Sequence, residues 1–518
     1  MTAADELGKA YAFDGPALEL GALVLDGQAH PDARIRIPLS MLNRHGLVAG
    51  ATGTGKTKTL QLLAEQLSDA GVPVFLADIK GDVSGMAAPG AASDRITKRA
   101  QETATDWTPK AFPAEFLNLG GIGGIGVPVR ATMTSFGPVL LSKVLGLNET
   151  QESSLGLVFH FADKAGLPLL DLKDLRAVIS HLTSDEGKAD LEQLGGLSSA
   201  TAGVILRELI GLEDGGGDAF FGEPEFDSAD LLRTTADGKG ILSIIELQGL
   251  QASPQLFSTF LMWLLADLFH DLPEMGDVDK PKLVFFFDEA HLLFDGASKA
   301  FLDAVAQTVR LIRSKGVGVF FVTQTPKDVP GDVLAQLGNR VQHALRAFTP
   351  DDAKSLKATV GTFPKSKVYD DLGELLTTMG IGEAAVTILS ENGAPTPVAW
   401  TRMRPPASLM AQLDPTQQQA ITTASSLQAE YGTPIDRESA YEKLLIKVTP
   451  EPEPQQLAPP QPEDRGREAA AGVGGAIAGV FGSSMFRSFA RSAASTAGRE
   501  ITRELFGTAP RRRARRRR

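Results

Sequence analysis

Short apolar runs alternate with amphipathic stretches over about the first 400 residues, a pattern that predicts strands alternating with helices. Residues 47–49 (LVA) resemble a buried strand, and residues 59–71 (TLQLLAEQLSDAG) have the spacing of an amphipathic helix. Three later apolar runs end in polar residues, as strands of an open parallel sheet do: 72–79, 283–287 and 316–322. The sequence therefore predicts an α/β protein.

The periodicity changes along the chain and divides it into segments. Residues 1–44 form a short lead-in, in which ALVLDG and RIRIPL predict one or two strands. Helical periods dominate residues 131–235, which predicts a helical insertion between two halves of the α/β core. The two core halves and a helical extension after them cover residues 45–130, 236–400 and 401–449.

The last part of the chain has low complexity. Residues 450–466 form a proline-rich linker, and residues 467–518 form an Ala/Gly-rich helical segment with an arginine-rich end. Residues Ala469 to Phe486 run for 18 positions without a charge, but their many glycines and alanines make membrane insertion weak. We favour a small-residue helix that packs on another helix or on its copy, and association with a membrane surface is the second interpretation.

Charge and composition narrow the functional classes. The chain has 518 residues and a net charge of −12; without the seven arginines of RRRARRRR, 44 basic residues face 63 acidic ones, a net charge of −19. Such an acidic body does not favour a broad DNA-coating surface. The basic end either binds phosphates, acidic lipids or the protein's own acidic surface, or is a solvated, disordered end. The absence of cysteine excludes disulfides, thiolate zinc sites and cysteine nucleophiles. With no signal peptide visible, a cytoplasmic location is expected.

Residues 50–57 (GATGTGKT) match a complete phosphate-binding loop between the predicted strand and helix. In such a loop, backbone N–H groups face the phosphates, Lys56 reaches the β- and γ-phosphates, and the Thr57 hydroxyl binds Mg²⁺. The predicted ATP-binding residues are Gly50, Ala51, Thr52, Gly53, Thr54, Gly55, Lys56 and Thr57.

The segment KLVFFFDEAHLLF contains the second predicted part of the site. Its apolar run predicts a strand that delivers Asp288 and Glu289 to its carboxyl end. Asp288 would hold Mg²⁺, and Glu289 would orient and deprotonate the attacking water. The alternative is an acidic helix cap before AHLLF.

Other polar residues follow predicted strands. Thr323 and Gln324 end the run at 316–322, where the Gln324 amide could sense the γ-phosphate or position water. Asp78, Lys80 and Asp82 follow the run at 72–79, either as residues at the edge of the site or as a polar turn.

An arginine could neutralise charge in the transition state, from the same chain or from a neighbouring subunit. Arg340 is the first choice and Arg313 the second, and Arg310 and Arg346 are further candidates.

The tetrapeptide DEAH at 288–291 also suggests a two-lobed DEAH-type helicase. Lys56 and Asp288 are 232 residues apart, however, and no QxxGRxGR-like motif follows. His291 is therefore predicted to pack or cap a helix.

Three segments together resemble the HerA-like P-loop ATPases of the HerA/FtsK superfamily, most closely the bacterial YjgR type: residues 43–85, FFFDEAHLLF and GNRVQHALRAFTPDD. The resemblance implies a RecA-like core, ATP and Mg²⁺ as cofactors, and the roles given above for Lys56, Thr57, Asp288, Glu289 and Gln324. It also implies a homo-oligomer, with a hexameric ring as one arrangement, and DNA as a partner. Two departures are the short lead-in, where HerA proteins carry a β-barrel, and the lack of a winged DNA-reading module.

The leading hypothesis is thus an Mg²⁺-dependent ATPase of the HerA/FtsK type that acts as an oligomeric DNA translocase or helicase-like motor. The alternative is a nucleotide-gated assembly protein that does not translocate DNA. A small-molecule kinase is disfavoured, because Glu289 beside Asp288 suits the activation of water.

Overall fold

The structure, a computed structural model, describes residues 2–248, 254–276, 278–295, 297–366 and 368–448. The predicted linker at 450–466 and the predicted tail at 467–518 lie outside the described residues. Within the described ranges, none of the helices combines the length and the apolar character that a membrane span needs.

Twelve strands of the described residues form one mixed sheet. The strands are β1 (Ala17–Leu25), β2 (Gln28–Pro38), β3 (Gly46–Ala49), β4 (Val74–Asp78), β5 (Ala114–Leu119), β6 (Val127–Val129), β7 (Leu242–Glu246), β8 (Leu283–Phe287), β9 (Val317–Thr323), β10 (Asn339–His343), β11 (Glu383–Thr387) and β12 (Ala399–Met403). Their order across the sheet is β2-β1-β12-β11-β10-β3-β9-β8-β4-β7-β5-β6. The strands from β10 to β6 in this order run parallel, whereas β2, β1, β12 and β11 pair antiparallel.

Helices connect the strands and cover both faces of the sheet. They are α1 (Ala3–Ala10), α2 (Lys56–Asp69), α3 (Asp94–Glu102), α4 (Met133–Phe136), α5 (Pro138–Val144), α6 (Glu149–Lys164), α7 (Leu172–Thr183), α8 (Lys188–Leu194), α9 (Ser199–Leu212), α10 (Asp218–Phe220), α11 (Pro254–Asp271), α12 (His291–Phe294), α13 (Lys299–Ile312), α14 (Gly331–Leu334), α15 (Pro350–Val360), α16 (Leu372–Thr378), α17 (Pro415–Ala424), α18 (Ser426–Tyr431) and α19 (Ala440–Val448).

Strand β8 shows why the central strands are continuous apolar runs in the sequence. Phe285 and Phe287 point into the hydrophobic core on one face of the sheet, whereas Val284 and Phe286 point into the core on the other face. Both faces are therefore buried, and a parallel strand in this position needs no polar alternation. Ring contacts extend across the strands, for example from Phe286 to Phe320 of β9, with 5.2 Å between ring centroids.

The region between β6 and β7 is helical, as the periodicity predicts. Helices α4 to α10 lie there, and their apolar side chains join the core that also receives Phe285 and Phe287. The predicted fold class, an α/β core with a helical insertion, is confirmed for the described residues.

The first 44 residues are part of the same sheet. Strands β1 and β2 form a hairpin, and β1 pairs with β12 almost four hundred residues later in the chain, with Gly21 opposite Met403. The close approach requires glycine, because a Cβ at Gly21 would lie 2.0 Å from the Arg402 carbonyl oxygen. Helix α1, which the strand pattern did not predict, begins with a capping box in which Thr2 and Asp5 exchange hydrogen bonds.

Candidate functional site

The phosphate-binding loop lies between the end of β3 and the start of α2. Gly55 precedes α2 with φ of 116°, a conformation that favours glycine. Gly50 approaches strand β10 so closely that a Cβ would lie 2.5 Å from the Cβ of His343. These two positions explain why the loop between an apolar strand and a helix is glycine-rich.

Neighbouring loops hold this loop in place through its backbone. The N–H of Gly50 donates to the Thr323 carbonyl at 3.2 Å, and the N–H of Ala51 donates to the Ala344 carbonyl at 2.8 Å. The Thr54 carbonyl accepts a hydrogen bond from Gly382 at 2.9 Å. Three different connections of the sheet therefore position the loop.

Lys56 is buried, and its ammonium group points back into the loop. Nζ donates to the carbonyl oxygens of Gly50 at 2.7 Å and Ala51 at 3.3 Å. Burial lowers the pKa of Lys56, although the carboxylates of Glu289 and Asp288 oppose this effect. The ammonium thus occupies the concave side of the loop, where a phosphate-binding lysine acts.

Asp288 and Glu289 follow β8 and are both buried, with relative exposures of 2% and 5%. Asp288 Oδ1 accepts the N–H of Glu289 at 2.9 Å, whereas Oδ2 has no hydrogen-bond partner among the described residues. Burial, followed by the adjacent charge of Glu289, raises the pKa of Asp288 to about 7. The free, buried oxygen is what a magnesium ligand would present.

Glu289 has an unusual backbone conformation. Its φ is 47°, in the left-handed region that costs a non-glycine residue about 1–3 kcal/mol. Its side chain forms an ion pair with Lys80 through Oε1, and His291 Nδ1 lies 3.1 Å from Oε2 without the angle of a hydrogen bond. The strained turn therefore aims the carboxylate at two basic side chains.

The turn after β4 explains how Lys80 reaches this place. The carboxylate of Asp78, fully buried at the end of β4, accepts hydrogen bonds from the backbone N–H groups of Lys80 (3.1 Å), Gly81 (2.7 Å) and Val83 (3.1 Å). Asp78 thus organises the turn, while Lys80 extends to Glu289. Asp82 is half-buried on the same turn.

Thr323 and Gln324 lie where β9 ends beside the phosphate-binding loop. The Thr323 hydroxyl donates to Asp328 Oδ2 at 2.8 Å, so this residue orders the following turn. Gln324 is exposed and directly follows Thr323, whose carbonyl accepts the Gly50 N–H. Its role stays a prediction.

The two preferred arginines, Arg340 and Arg313, are not brought to the loop of the same chain. Arg340 pairs with Leu47, three residues before Gly50, and its guanidinium donates to the carbonyls of Leu334, Leu337 and Thr362 at 3.3–3.4 Å. Arg313 precedes β9 and therefore lies at the opposite edge of the sheet from Thr323. The role of both residues stays a prediction, and it would require contact across a subunit interface.

Two further arginine candidates differ in position. Arg310 is exposed near the end of α13, which precedes β9. Arg346 is exposed just after β10, on the edge that carries the phosphate-binding loop.

Sequence reasoning missed one histidine of the site, His343, and did not foresee that another, His291, lies beside Glu289. His343 is fully buried below the loop, with its ring nitrogens 2.8 Å from the Thr59 hydroxyl and 2.8 Å from the Glu383 carbonyl oxygen. His291 was predicted to pack or cap a helix, and the structure places it at the start of α12 beside Glu289. Neither position carries a local pattern that distinguishes it from an ordinary buried or helical histidine.

Comparisons with known proteins agree with this geometry. The family described as "Helicase HerA-like C-terminal" matches residues 24–515. A DNA double-strand break repair helicase HerA of Saccharolobus solfataricus is 20% identical over 392 residues, 74% of this chain and 68% of that protein. The protein of the same name from Sulfurisphaera tokodaii is 22% identical over 364 residues, 68% of this chain and 64% of that protein.

Solved structures with a similar fold include the plasmid coupling protein TrwB in complex with ADP and Mg²⁺, with a TM-score of 0.52 at 16% identity. The likeness covers 80% of this chain and 95% of TrwB. A sulfate complex of the truncated coupling protein has a TM-score of 0.51 at 17% identity and covers 79% of this chain and 96% of that one. At such identities the likeness concerns the fold alone, which is that of a RecA-like P-loop NTPase.

Proposed function

Because the chain belongs to the helicase HerA-like C-terminal family and is a P-loop ATPase, we propose that it couples Mg²⁺-dependent ATP hydrolysis to movement on DNA as a homo-oligomeric ring. The HerA-like membership predicted from the sequence is confirmed, whereas the YjgR type stays a prediction. The observation that carries the ATP-hydrolysis part of the proposal is the position of Lys56, Asp288 and Glu289 after the carboxyl ends of β3 and β8, which both lie beside β9 in the sheet.

Two residues fit a magnesium ion. Asp288 Oδ2 is buried without a hydrogen-bond partner in the described ranges, and Thr57 lies in the first turn of α2 beside Lys56. Mg²⁺ prefers hard oxygen ligands and usually completes its shell with water and phosphate, so a carboxylate and a hydroxyl are a suitable protein contribution. When bound, the ion would neutralise charge on the β- and γ-phosphates.

Different side chains of this protein would then perform different steps of hydrolysis. Lys56 and the backbone N–H groups of the loop hold the phosphates, and Gln324 orients the attacking water. The water oxygen forms a bond to the γ-phosphorus while the bond to the β,γ-bridging oxygen breaks, and ADP leaves with that electron pair. Glu289 accepts the proton of the water.

Movement on DNA is supported by the relatives, two of which are named as DNA double-strand break repair helicases. The net charge of −12 favours a second candidate, a nucleotide-gated assembly protein, because an acidic chain offers less attraction to a phosphate backbone. The two candidates differ in whether DNA changes the rate of turnover.

The test measures ATP turnover by the full-length protein after separation by size, with Mg²⁺ or with EDTA, and with or without duplex DNA. The motor predicts turnover that requires Mg²⁺ and rises several-fold with DNA in an oligomeric fraction. The assembly protein predicts slow turnover that DNA leaves unchanged, together with a nucleotide-dependent change in oligomer size. Turnover in EDTA equal to that in Mg²⁺ would contradict both.

A further inference from the structure

Lys80 is the basic side chain of the site whose role the motifs leave open. It pairs with Glu289 and lies close enough to Lys56 for the two ammonium groups to affect each other. Burial alone would lower the pKa of Lys80, but the hydrogen bond and charge of Glu289, with Asp288 and Asp82 nearby, raise it instead. Lys80 therefore stays a cation within the nucleotide site.

The pair has one rigid and one adaptable partner. The Glu289 side chain is 6% exposed and is held by the strained backbone and by strand β8, whereas the Lys80 side chain is 41% exposed. The backbone of Lys80 is fixed by Asp78, but four rotatable methylene groups separate it from the ammonium. Lys80 can consequently change partner without a movement of the sheet.

While Lys80 pairs with Oε1 of Glu289, that oxygen is not free to accept a hydrogen bond from an attacking water. The ion pair therefore opposes the proton transfer that hydrolysis requires of Glu289. A γ-phosphate bound near Lys56 would offer Lys80 a second anion, which ADP would not provide.

We propose that Lys80 is a catalytic residue that exchanges the Glu289 carboxylate for the γ-phosphate when ATP binds. In this exchange Lys80 restrains Glu289 until ATP is present and then releases it to accept the proton of the attacking water. The inference rests on the proposed ATP hydrolysis and adds the residue that links substrate arrival to release of the base.

The test compares full-length wild type, Lys80→Met and Lys80→Arg, with Lys299→Met as the matched control. Lys299 is a surface lysine whose side chain is 86% exposed and pairs with Asp303 on the same helix. For each protein, calorimetry measures the affinity for a non-hydrolysable ATP analogue and for ADP, and steady-state kinetics measure kcat and KM.

We expect Lys80→Met to weaken binding of the ATP analogue about tenfold, as loss of one charge-assisted contact does, with ADP affinity unchanged within about twofold. Its kcat should fall at least about tenfold, because the γ-phosphate loses a cation in the transition state. Lys80→Arg should restore most of the difference in affinity between the ATP analogue and ADP. Lys299→Met should match the wild type in affinity and kcat.

A Lys80→Met protein that loses affinity for both nucleotides equally, or for neither, would overturn the inference, since a merely structural ion pair does not distinguish them. Lys80→Arg provides the same comparison if Lys80→Met does not fold: affinities for both nucleotides that fall together would again contradict partner exchange. A wild type that hydrolyses no ATP would refute the proposed function, whereas the affinity difference is measured without turnover.

Discussion

The loop edge of the sheet and its antiparallel strands both hold charged side chains that are at least partly buried, but their carboxylate oxygens differ in whether they have partners. In the antiparallel strands Arg402 pairs with Glu383 at 2.8 Å, and Arg404 pairs with Glu19 at 3.2 Å. At the loop edge Asp288 keeps a buried oxygen without a hydrogen-bond partner among the described residues.

The difference distinguishes strands that serve as a scaffold from the proposed reactive site. A buried polar atom without a partner is costly, so proteins retain it where a ligand completes it. Both carboxylate oxygens of Glu383 and of Glu19, by contrast, have partners, and these contacts link neighbouring strands. Substitutions at the loop edge should therefore change turnover with little loss of stability, and substitutions among the paired charges should do the reverse.

The largest expected effect on activity is that of Lys56→Ala. Turnover should fall on the order of a thousandfold or more, because the cation that holds the β- and γ-phosphates is lost. Thermal unfolding should change little, since Lys56 Nζ donates only to carbonyls of its own loop in the described structure. A phosphate-release assay and a melting curve on the same sample measure both quantities, and a variant with normal turnover would contradict the site.

Glu289→Gln should give the next largest loss. Removing the general base should reduce kcat on the order of a hundred- to ten-thousandfold. Nucleotide affinity should be retained, because the amide keeps the size of the carboxylate and relieves the repulsion that Asp288 experiences. Equilibrium binding of ATP alongside single-turnover kinetics separates the two effects, and affinity lost in parallel with kcat would argue against a role in chemistry alone.

Acid should lower the free energy of unfolding through two buried histidines, which lie at opposite ends of the parallel strands. Burial lowers the pKa of His343, below the loop, and of His45, before β3, to about 4. Each histidine is neutral in the folded protein and binds a proton more readily in the unfolded protein. The stability that the neutral histidines contribute is therefore fully present above pH 6.5 and is lost as the pH falls from 6.5 to 4. Denaturant midpoints across this range should decline less steeply in His343→Gln, whereas the exposed His160→Gln should follow the wild type.

Glu19→Gln should have the smallest effect. Glu19 faces Arg34 and Arg404, and its side chain is 34% exposed, so the loss of these ion pairs should cost about 1 kcal/mol or less. The ATPase rate should be unchanged. If the change in the ATPase rate, expressed as an activation free energy, exceeds the change in the free energy of unfolding, the antiparallel strands are coupled to the loop edge.

Features whose residues are neighbours in the chain could be predicted from the sequence, whereas features that join distant residues could not. Gly50 to Thr57, and Asp288 with Glu289, each form a contiguous pattern with a known strand context, and the structure places both patterns at the ends of buried strands. The pairing of β1 with β12 was not predicted, because it joins distant residues. Helix α1 was not predicted because its eight residues are too few to establish a helical period.

The chain sequence by itself determined the chemistry of the loop, the buried character of β8 and the helical insertion, because each depends on local spacing and apolar periodicity. Only the tertiary structure decided that Lys80 meets Glu289 and that Arg340 lies away from the loop of its own chain. Strand β4 lies beside β8 with Ala77 opposite Phe287, so residues 209 positions apart meet at one edge. Strand order and register arise from packing of the whole sheet, and no local pattern encodes them.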